Sequence, residues 1–421
     1  MSDVTKTIEA VWKIESTRLI AAIARVTHDI GLAEELAQDA LVTALEVWPE
    51  EGIPANPGAW LMTAAKRRAI DSFRRGRMLV QKHEEIAREL EFQQQQLADA
   101  LEDSLDHVID DDILRLIFTA CHPILPMEGR IALTLRLIGG LTTAEIARAF
   151  LVPEKTLGQR ISRSKKTLSE AHVPFETPSG NELRRRVESV LTVVYLIFNE
   201  GYTATSGDEW MRAALSDEAL RLGRMLRQLL PGESEVHALV ALMELVASRN
   251  AARRGKNGEA VLLPGQDRSL WDYAQIQRGM TALEQAQRLG GGAKPYALQA
   301  AIAACHMRAR TAEETEWDRI VLLYDALLQI NPSPIVALNR AVAISMVHGP
   351  AAGLDALDAA AGDSALAGYH LFPSVRGDLL MKLGRLSEAR EEIQRAIAMT
   401  KNLREQELLA NRLEQLERTA C

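Results

Sequence analysis

The segment LTTAEIARAFLVPEKTLGQRISRSKKTL, residues 141–168, constrains the fold more than any other stretch of this 421-residue chain. Thr142 or Thr143 suits a helix N-cap, Glu145 follows in the first turn, and Leu151 to Pro153 interrupts the helical pattern with a tight turn. The spacing predicts two short helices that cross closely at the small Ala147. In the second helix Leu157 and Ile161 face inward. Lys155, Thr156, Gln159, Arg160, Arg163 and Lys166 then face outward, a side-chain set suited to base edges and phosphates in a major groove. Thr143, at the start of the first helix, is placed with them. A generic helical hairpin with a solvated basic face satisfies the same pattern.

Composition agrees with helices throughout. Aromatic residues are 5% of the chain, while Ala, Leu, Glu and Arg abound, which predicts an all-α class. The length suits roughly two to four packed units. Three cysteines (Cys121, Cys305 and Cys421) form neither a disulfide framework nor a CxxC pair. The longest apolar run, Val190 to Phe198, is too short to cross a bilayer, and MSDVTKTIEAVWKIES lacks the apolar core of a signal peptide. The expectation is a cytoplasmic protein without a membrane anchor.

The net charge of -8 conceals a pattern. Residues 60–80 carry six bases (Lys66, Arg67, Arg68, Arg74, Arg75 and Arg77) against Asp71, whereas residues 84–112 carry eleven acids and only Arg88. Residues 154–170 are basic again, with five cations against two glutamates. Two basic patches thus flank one acidic connector.

Amphipathic helices are predicted over residues 8–28 and over 32–48, the latter closed by Pro49. EEGIPANPG (50–58) is a loop, and Pro57 and Gly58 stand where the next helix, AWLMTAAKRRAIDSFRRGR, begins. Residues 81–111 read as a linker, partly helical at most. From Ile113 four short helices follow, and beyond the Pro-rich 173–178 helices continue to the end, interrupted at GKNGEAVLLPG (255–265). Tyr369 to Asn402 fits the 34-residue tetratricopeptide unit, with small Ala389 and Ala396 at packing positions. Trp317 to Val347, broken at NPSP, is a degenerate earlier copy.

GLAEELAQDALVTALEVW resembles the core-polymerase-binding helix of extracytoplasmic-function sigma factors. Glu35, Gln38 and Asp39 fall where that family carries acidic and glutamine residues, which implies contact with core RNA polymerase. AWLMTAAKRRAIDSFRR is similar to the family's promoter-melting helix. The resemblance implies that Trp60 packs at its start, that Lys66, Arg67 and Arg68 face DNA phosphate, and that Asp71, Arg74 and Arg75 complete it. Where the family often has Asn in this helix, this chain has Arg67 and Arg68, which favours phosphate binding over base readout. IPANPG resembles the loop that captures a flipped base, with Asn56 as the pocket residue. Holding single strands open needs cations on a rigid element, and extruding a base costs a few kcal/mol that a preformed pocket offsets.

The resemblance divides the chain into region 2 (1–80; polymerase binding, -10 recognition and melting), the acidic linker (81–112), region 4 (113–172; -35 recognition) and a C-terminal extension (173–421) with tetratricopeptide-like repeats, clearest over 317–402. In the family such a linker threads through polymerase near the RNA path; a solvated tether explains the charge equally. VLTVVYLIFNEGYTATSGD, RLGRMLRQLLP, LQAAIAACH and SPIVALNRAVA resemble the subgroup with this long extension. Stacked repeats bind proteins, so the extension is expected to regulate the factor through polymerase or another protein.

Other readings carry less. Tyr195, Asn199, Glu200, Gly201 and Tyr202 form a polar cluster that suits either a small pocket or a helix end. Cys121-His122 and Cys305-His306 lack further ligands at metal spacing, so no metal is expected. No nucleotide, protease or esterase motif occurs, and Asp208, Asp267 and Asp272 do not make a mechanism, so neither a cofactor nor catalysis is expected. A one-component helix-turn-helix regulator with a repeat sensor remains the alternative; it binds duplex DNA without polymerase.

Overall fold

A computed structural model of the chain describes residues 3–65, 67–68, 109–204, 206–207, 211–255, 259–362, 366 and 368–420. It divides into two compact units, Met1–Val194 and Tyr195–Cys421. Most of the 81–112 linker, with Lys66, Asp71, Arg74, Arg75, Asp208 and Cys421, lies outside the described residues. The described chain is helical apart from turns, a two-residue strand pair and one isolated bridge, as the composition predicts.

In the first unit, α1 (Asp3–Thr27) and α2 (Ile30–Glu51) form an antiparallel pair. They turn at His28, whose φ is 52°, and Asp29 then caps α2 by accepting the amides of Gly31 (2.7 Å) and Leu32 (3.1 Å). The expected stop at Pro49 is corrected: α2 runs through it to Glu51. A proline costs a helix its amide donor and crowds the preceding turn. Here the ending instead falls at Gly52, with φ 89°, whose amide returns to the Trp48 carbonyl at 3.0 Å. Helix α3 begins at residue 57 and is described through residue 68, residue 66 excepted. Leu61 and Ala65 bury its inner face, and Trp60 meets the buried Trp48 edge to face at 5.3 Å.

Four helices follow as predicted: α4 (Ile109–Ala120), α5 (Met127–Leu137), α6 (Thr143–Ala149) and α7 (Glu154–Glu170). The next helix, α8 (Gly180–Tyr202), crosses the division between units, so the sequence-level boundary at 173 falls inside the first unit. Its first half is anchored there. Ser189 donates to the Cys121 carbonyl at 2.7 Å, and Arg186 to the Phe118 carbonyl at 3.2 Å.

The second unit is a succession of helices: α9 (Ala213–Leu229), α10 (Ser234–Ala247), α11 (Tyr273–Arg288), α12 (Pro295–Arg308), α13 (Trp317–Ile330), α14 (Pro334–His348), α15 (Pro350–Ala359), α16 (Leu371–Lys382), α17 (Leu386–Met399) and α18 (Leu403–Ala420), most of them packed on sequence neighbours, with α12 packed chiefly on α10. Both expected repeat units are helix pairs, α13–α14 and α16–α17, and Ala389 and Ala396 are fully buried. Helix α10 is central. Its Glu244, 1% exposed, is held by Arg224 at 2.8 and 3.0 Å and lies 3.7 Å from Arg278. A long-range tie also joins the two ends of the unit. Ser206–Gly207 pairs in parallel with Lys401–Asn402, and the fully buried Asn402 amide donates to the Ala204 carbonyl at 2.9 Å.

Gly201 admits the start of the second unit's packing. A Cβ there would lie 2.2 Å from the backbone nitrogen of Ser216, an atom that cannot swing aside. Gly201→Ala is expected to destabilise the second unit by about 1–3 kcal/mol, the usual range for overpacking. The measurement is the midpoint of urea unfolding; an unchanged midpoint contradicts the close approach.

Candidate nucleic-acid interface

Helix α7 is set down by a buried seam of Leu157, Ile161, Ser164 and Leu168, one residue per turn. Ser164 fits because residue 129 is glycine: a Cβ there would stand 2.5 Å from the Ser164 Oγ. The preceding α6 starts with a full capping box, in which Thr142 accepts the Glu145 amide at 3.1 Å while the Glu145 carboxylate accepts the Thr142 amide at 2.8 Å. These hydrogen bonds hold the Glu145 carboxyl below its ordinary range. Of the two sequence candidates, Thr142 is therefore the cap. The turn between α6 and α7 has Leu151 at φ 50°, with the Val152 amide bonded to the Ala147 carbonyl at 3.0 Å.

On the opposite side of α7, Lys155, Gln159, Arg163 and Lys166 are exposed, and Thr156 and Arg160 are half-buried. The buried seam and the cation row thus separate onto two faces. Thr143 meets that row only at Lys166, with which it lines a cleft of about 730 Å³ together with Glu35, Gln38 and Gly158.

In the N-terminal part, Thr43, Pro54, Asn56, Trp60, Thr63, Arg67 and Arg68 line an open cavity of about 490 Å³. Asn56 serves the fold as well as the cavity, since its Oδ1 accepts the Ala59 amide at 3.1 Å and so caps α3. Arg67 is exposed, and Arg68 reaches Thr43 Oγ1 at 3.4 Å. Lys66, Arg74 and Arg75 fall among the undescribed residues. On α2, Glu35 and Asp39 are exposed, whereas Gln38 donates to the buried Glu34 at 2.5 Å. Sequence reading passed over Val42 and Leu45, which are 49% and 41% exposed and continue the Glu35–Asp39 stripe. Their signal was apolar side chains outside the buried stripe of a well-capped helix.

The remaining sequence candidates have structural partners. Asp267 accepts the Ser269 amide at 2.9 Å, and Asp272 accepts the Gln275 amide at 2.8 Å, so each caps a helix start. Glu200 pairs with Arg212, the Tyr195 hydroxyl donates to Gln299 at 3.2 Å, and the Arg253 guanidinium lies 3.5 Å over the Tyr202 ring. The Cys121 thiol, pushed up to about 11 by burial, meets Thr134 at 3.2 Å. Among the described residues no group of His, Cys, Asp or Glu has the arrangement of a metal site. Nor does any described helix have the length and apolarity to cross a membrane.

Comparison with known proteins places these features in a family. Residues 14–78 match Sigma-70 region 2, residues 115–168 match Sigma-70, region 4, and residues 186–287 match a family of unknown function, DUF6596. The chain is 42% identical to an uncharacterized protein of Rhizobium meliloti (strain 1021) over 398 residues, 94% of this chain and 93% of the relative. The chain belongs to the sigma-70 family of RNA polymerase sigma factors, in the extracytoplasmic-function form that carries regions 2 and 4, here with a C-terminal extension. It is a promoter-recognition factor that binds core RNA polymerase and promoter DNA, and sigma factor families are not enzymes.

His306 yields a test of the second unit. Burial, reinforced by Arg249 and Arg268, lowers its pKa to about 4, and its ring stacks edge to face on Trp317 at 5.2 Å. The folded chain therefore keeps this ring neutral while the unfolded chain protonates it near the ordinary value of 6.5. Stability is complete above the unfolded value and declines as pH falls from there toward 4. The decline attributable to His306 is expected to reach about 3 kcal/mol. Urea unfolding between pH 7 and 4 measures it, and His306→Phe should flatten the curve.

Proposed function

We propose that region 4 reads the -35 duplex through Lys155, Thr156, Gln159, Arg160, Arg163 and Lys166, with Thr143 at its edge. Region 2 holds the melted -10 strand along Lys66, Arg67, Arg68, Arg74 and Arg75, and a flipped base enters the cavity beside Asn56 and Trp60. Glu35, Gln38 and Asp39, extended by the exposed Val42 and Leu45, form the polymerase contact. The observation that carries this reading is the separation on α7 of a buried apolar seam from an outward row of cations. A duplex offers phosphates and base edges to such a row. The open cavity of region 2 is the second support, because a pocket walled by Trp60 and Pro54 beside the cations Arg67 and Arg68 suits the face of an unpaired base.

The extension, whose boundary we place after residue 194, regulates the factor by contacting polymerase or another protein through its stacked helices. The site of action is the cytoplasm, where the polymerase works.

In transcription reconstituted with core polymerase, Arg160→Ala is expected to weaken duplex promoter binding by roughly 1–3 kcal/mol, with a shallower salt dependence. Arg67→Ala should leave duplex affinity nearly intact and slow formation of the open complex, read by permanganate reactivity of unpaired thymines. Equal effects of both variants on duplex binding contradict the division of labour. Truncation after residue 194 should change the transcription profile; an unaltered profile removes the regulatory role.

A further inference from the structure

Four of the chain's six tyrosines gather at one place in the second unit, although they come from distant parts of the sequence: Tyr195 of α8, Tyr296 of α12, Tyr324 of α13 and Tyr369 just ahead of α16. Each is half-buried and leans on a core cluster: Tyr195 and Tyr296 on that of α10–α12, Tyr324 on that of α12–α14, and Tyr369 on that of α14–α18. The Tyr195 and Tyr296 rings pack edge to face at 5.5 Å, and the Tyr195 hydroxyl donates to Gln299 at 3.2 Å. Tyr195 also acts on the other two phenols. Burial and then Tyr195 push the Tyr324 phenol up to about 12, and burial, the Glu405 carboxylate and Tyr195 raise that of Tyr369. Beside Tyr369 the His370 ring lies 2.8 Å from the carboxylate of Glu405, which accepts from Thr400 at 2.6 Å.

Two features set the chemistry of this cluster. Among the described residues neither the Tyr324 nor the Tyr369 hydroxyl meets a hydrogen-bond partner, although sheltered polar groups are ordinarily paired. Their oxygens keep lone pairs for an incoming N–H. The second feature is the sign of the local charge. Among the described residues no lysine or arginine acts on either phenol, and Glu405 is an anion: burial opposes its charge, yet His370 and Thr400 hold its carboxyl below the ordinary range. An anion brought here meets like charge, whereas a cation finds a carboxylate and the electron-rich faces of aromatic rings. The ends of the unit meet where Ser206–Gly207 pairs with Lys401–Asn402, just ahead of Glu405. That closure bounds the cluster on one side, so a small molecule enters more easily than a folded partner.

We propose that Tyr195, Tyr324, Tyr369 and Glu405 form a binding site for a small organic ammonium ion, whose N–H groups donate to the free phenol oxygens and whose charge faces the carboxylate. Such a ligand gives the extension an input of its own, apart from the surfaces assigned to DNA and polymerase. The site lies wholly within the second unit and stands whether or not the extension regulates transcription.

Three probes of one size and different charge test the site. The full-length chain with carbon-13-labelled tyrosine is titrated at about pH 8, where an ordinary imidazole is uncharged, with n-butylammonium, n-butanol and butyrate in turn. Only six tyrosine signals need assignment, by single Tyr→Phe substitutions. Butylammonium is expected to shift the Tyr195, Tyr324 and Tyr369 signals saturably and to bind at least ~10-fold tighter than butanol, the scale of a sheltered cation against aromatic rings. Butyrate should leave them unmoved. Tyr324→Phe with Tyr369→Phe keeps the rings and removes the two acceptors, so butylammonium affinity should fall roughly 10-fold while the urea midpoint is retained. No saturable shift with butylammonium overturns the site, as do equal binding of amine and alcohol, binding of butyrate, and shifts confined to Tyr202 and Tyr273. Full affinity in a folded double variant overturns it as well; if that variant does not fold, the three probes on the unsubstituted chain decide.

Discussion

The Glu34 carboxylate organises the first unit. An acid on the second helix of a helical protein ordinarily points to water, and burying one without partners is costly. Here Gln38 and Arg136 serve one oxygen and Lys165 the other, so α2, α5 and α7 converge on a single group. The apolar packing of α1 against α4 sets the modules near each other, and the charge cluster fixes which faces meet. Glu35 and Gln38 of α2 and the helix α7 therefore overlook one cleft, although they are separated by more than a hundred residues of sequence.

The second unit uses another device for the same problem of fixing distant elements. Its helices bury Leu, Val, Ile and Ala against helices one or two positions away in the chain, which makes it close to a one-dimensional stack. Such stacks are weakest at their ends. Asn402 ties the ends together by donating to Ala204 and accepting from the amides of Arg404 and Glu405 at 3.0 and 3.3 Å. Thr400 adds a hydrogen bond to Glu405 at 2.6 Å, and His370 contacts the same carboxylate at 2.8 Å. The extension thereby has a closed hydrogen-bonded seam where an open stack would fray.

The four helices of region 4 were legible because their signals are local. A capping threonine with Glu145 three residues on, a turn at LVP and an apolar period fix each helix within its own few residues. The outward cations of α7 followed from the same period. Pro49 misled because helix termination depends on the competing stop three residues later, where Gly52 adopts the left-handed backbone that a C-terminal cap needs. Asn56 was placed by resemblance at a pocket, and its capping of α3 was not foreseen, since that bond depends on where the helix begins.

Sequence alone thus determined the helical class, the two faces of α7 and the helix pairs α13–α14 and α16–α17 of the C-terminal part. Each rests on periodicity, capping or local charge. Tertiary structure decided that Glu34 is buried rather than exposed like its neighbour Glu35, that Asp267 and Asp272 are caps, and that residues 204 and 402 meet. Those outcomes depend on partners brought from distant sequence. A carboxylate carries no local mark of whether a cation will arrive beside it.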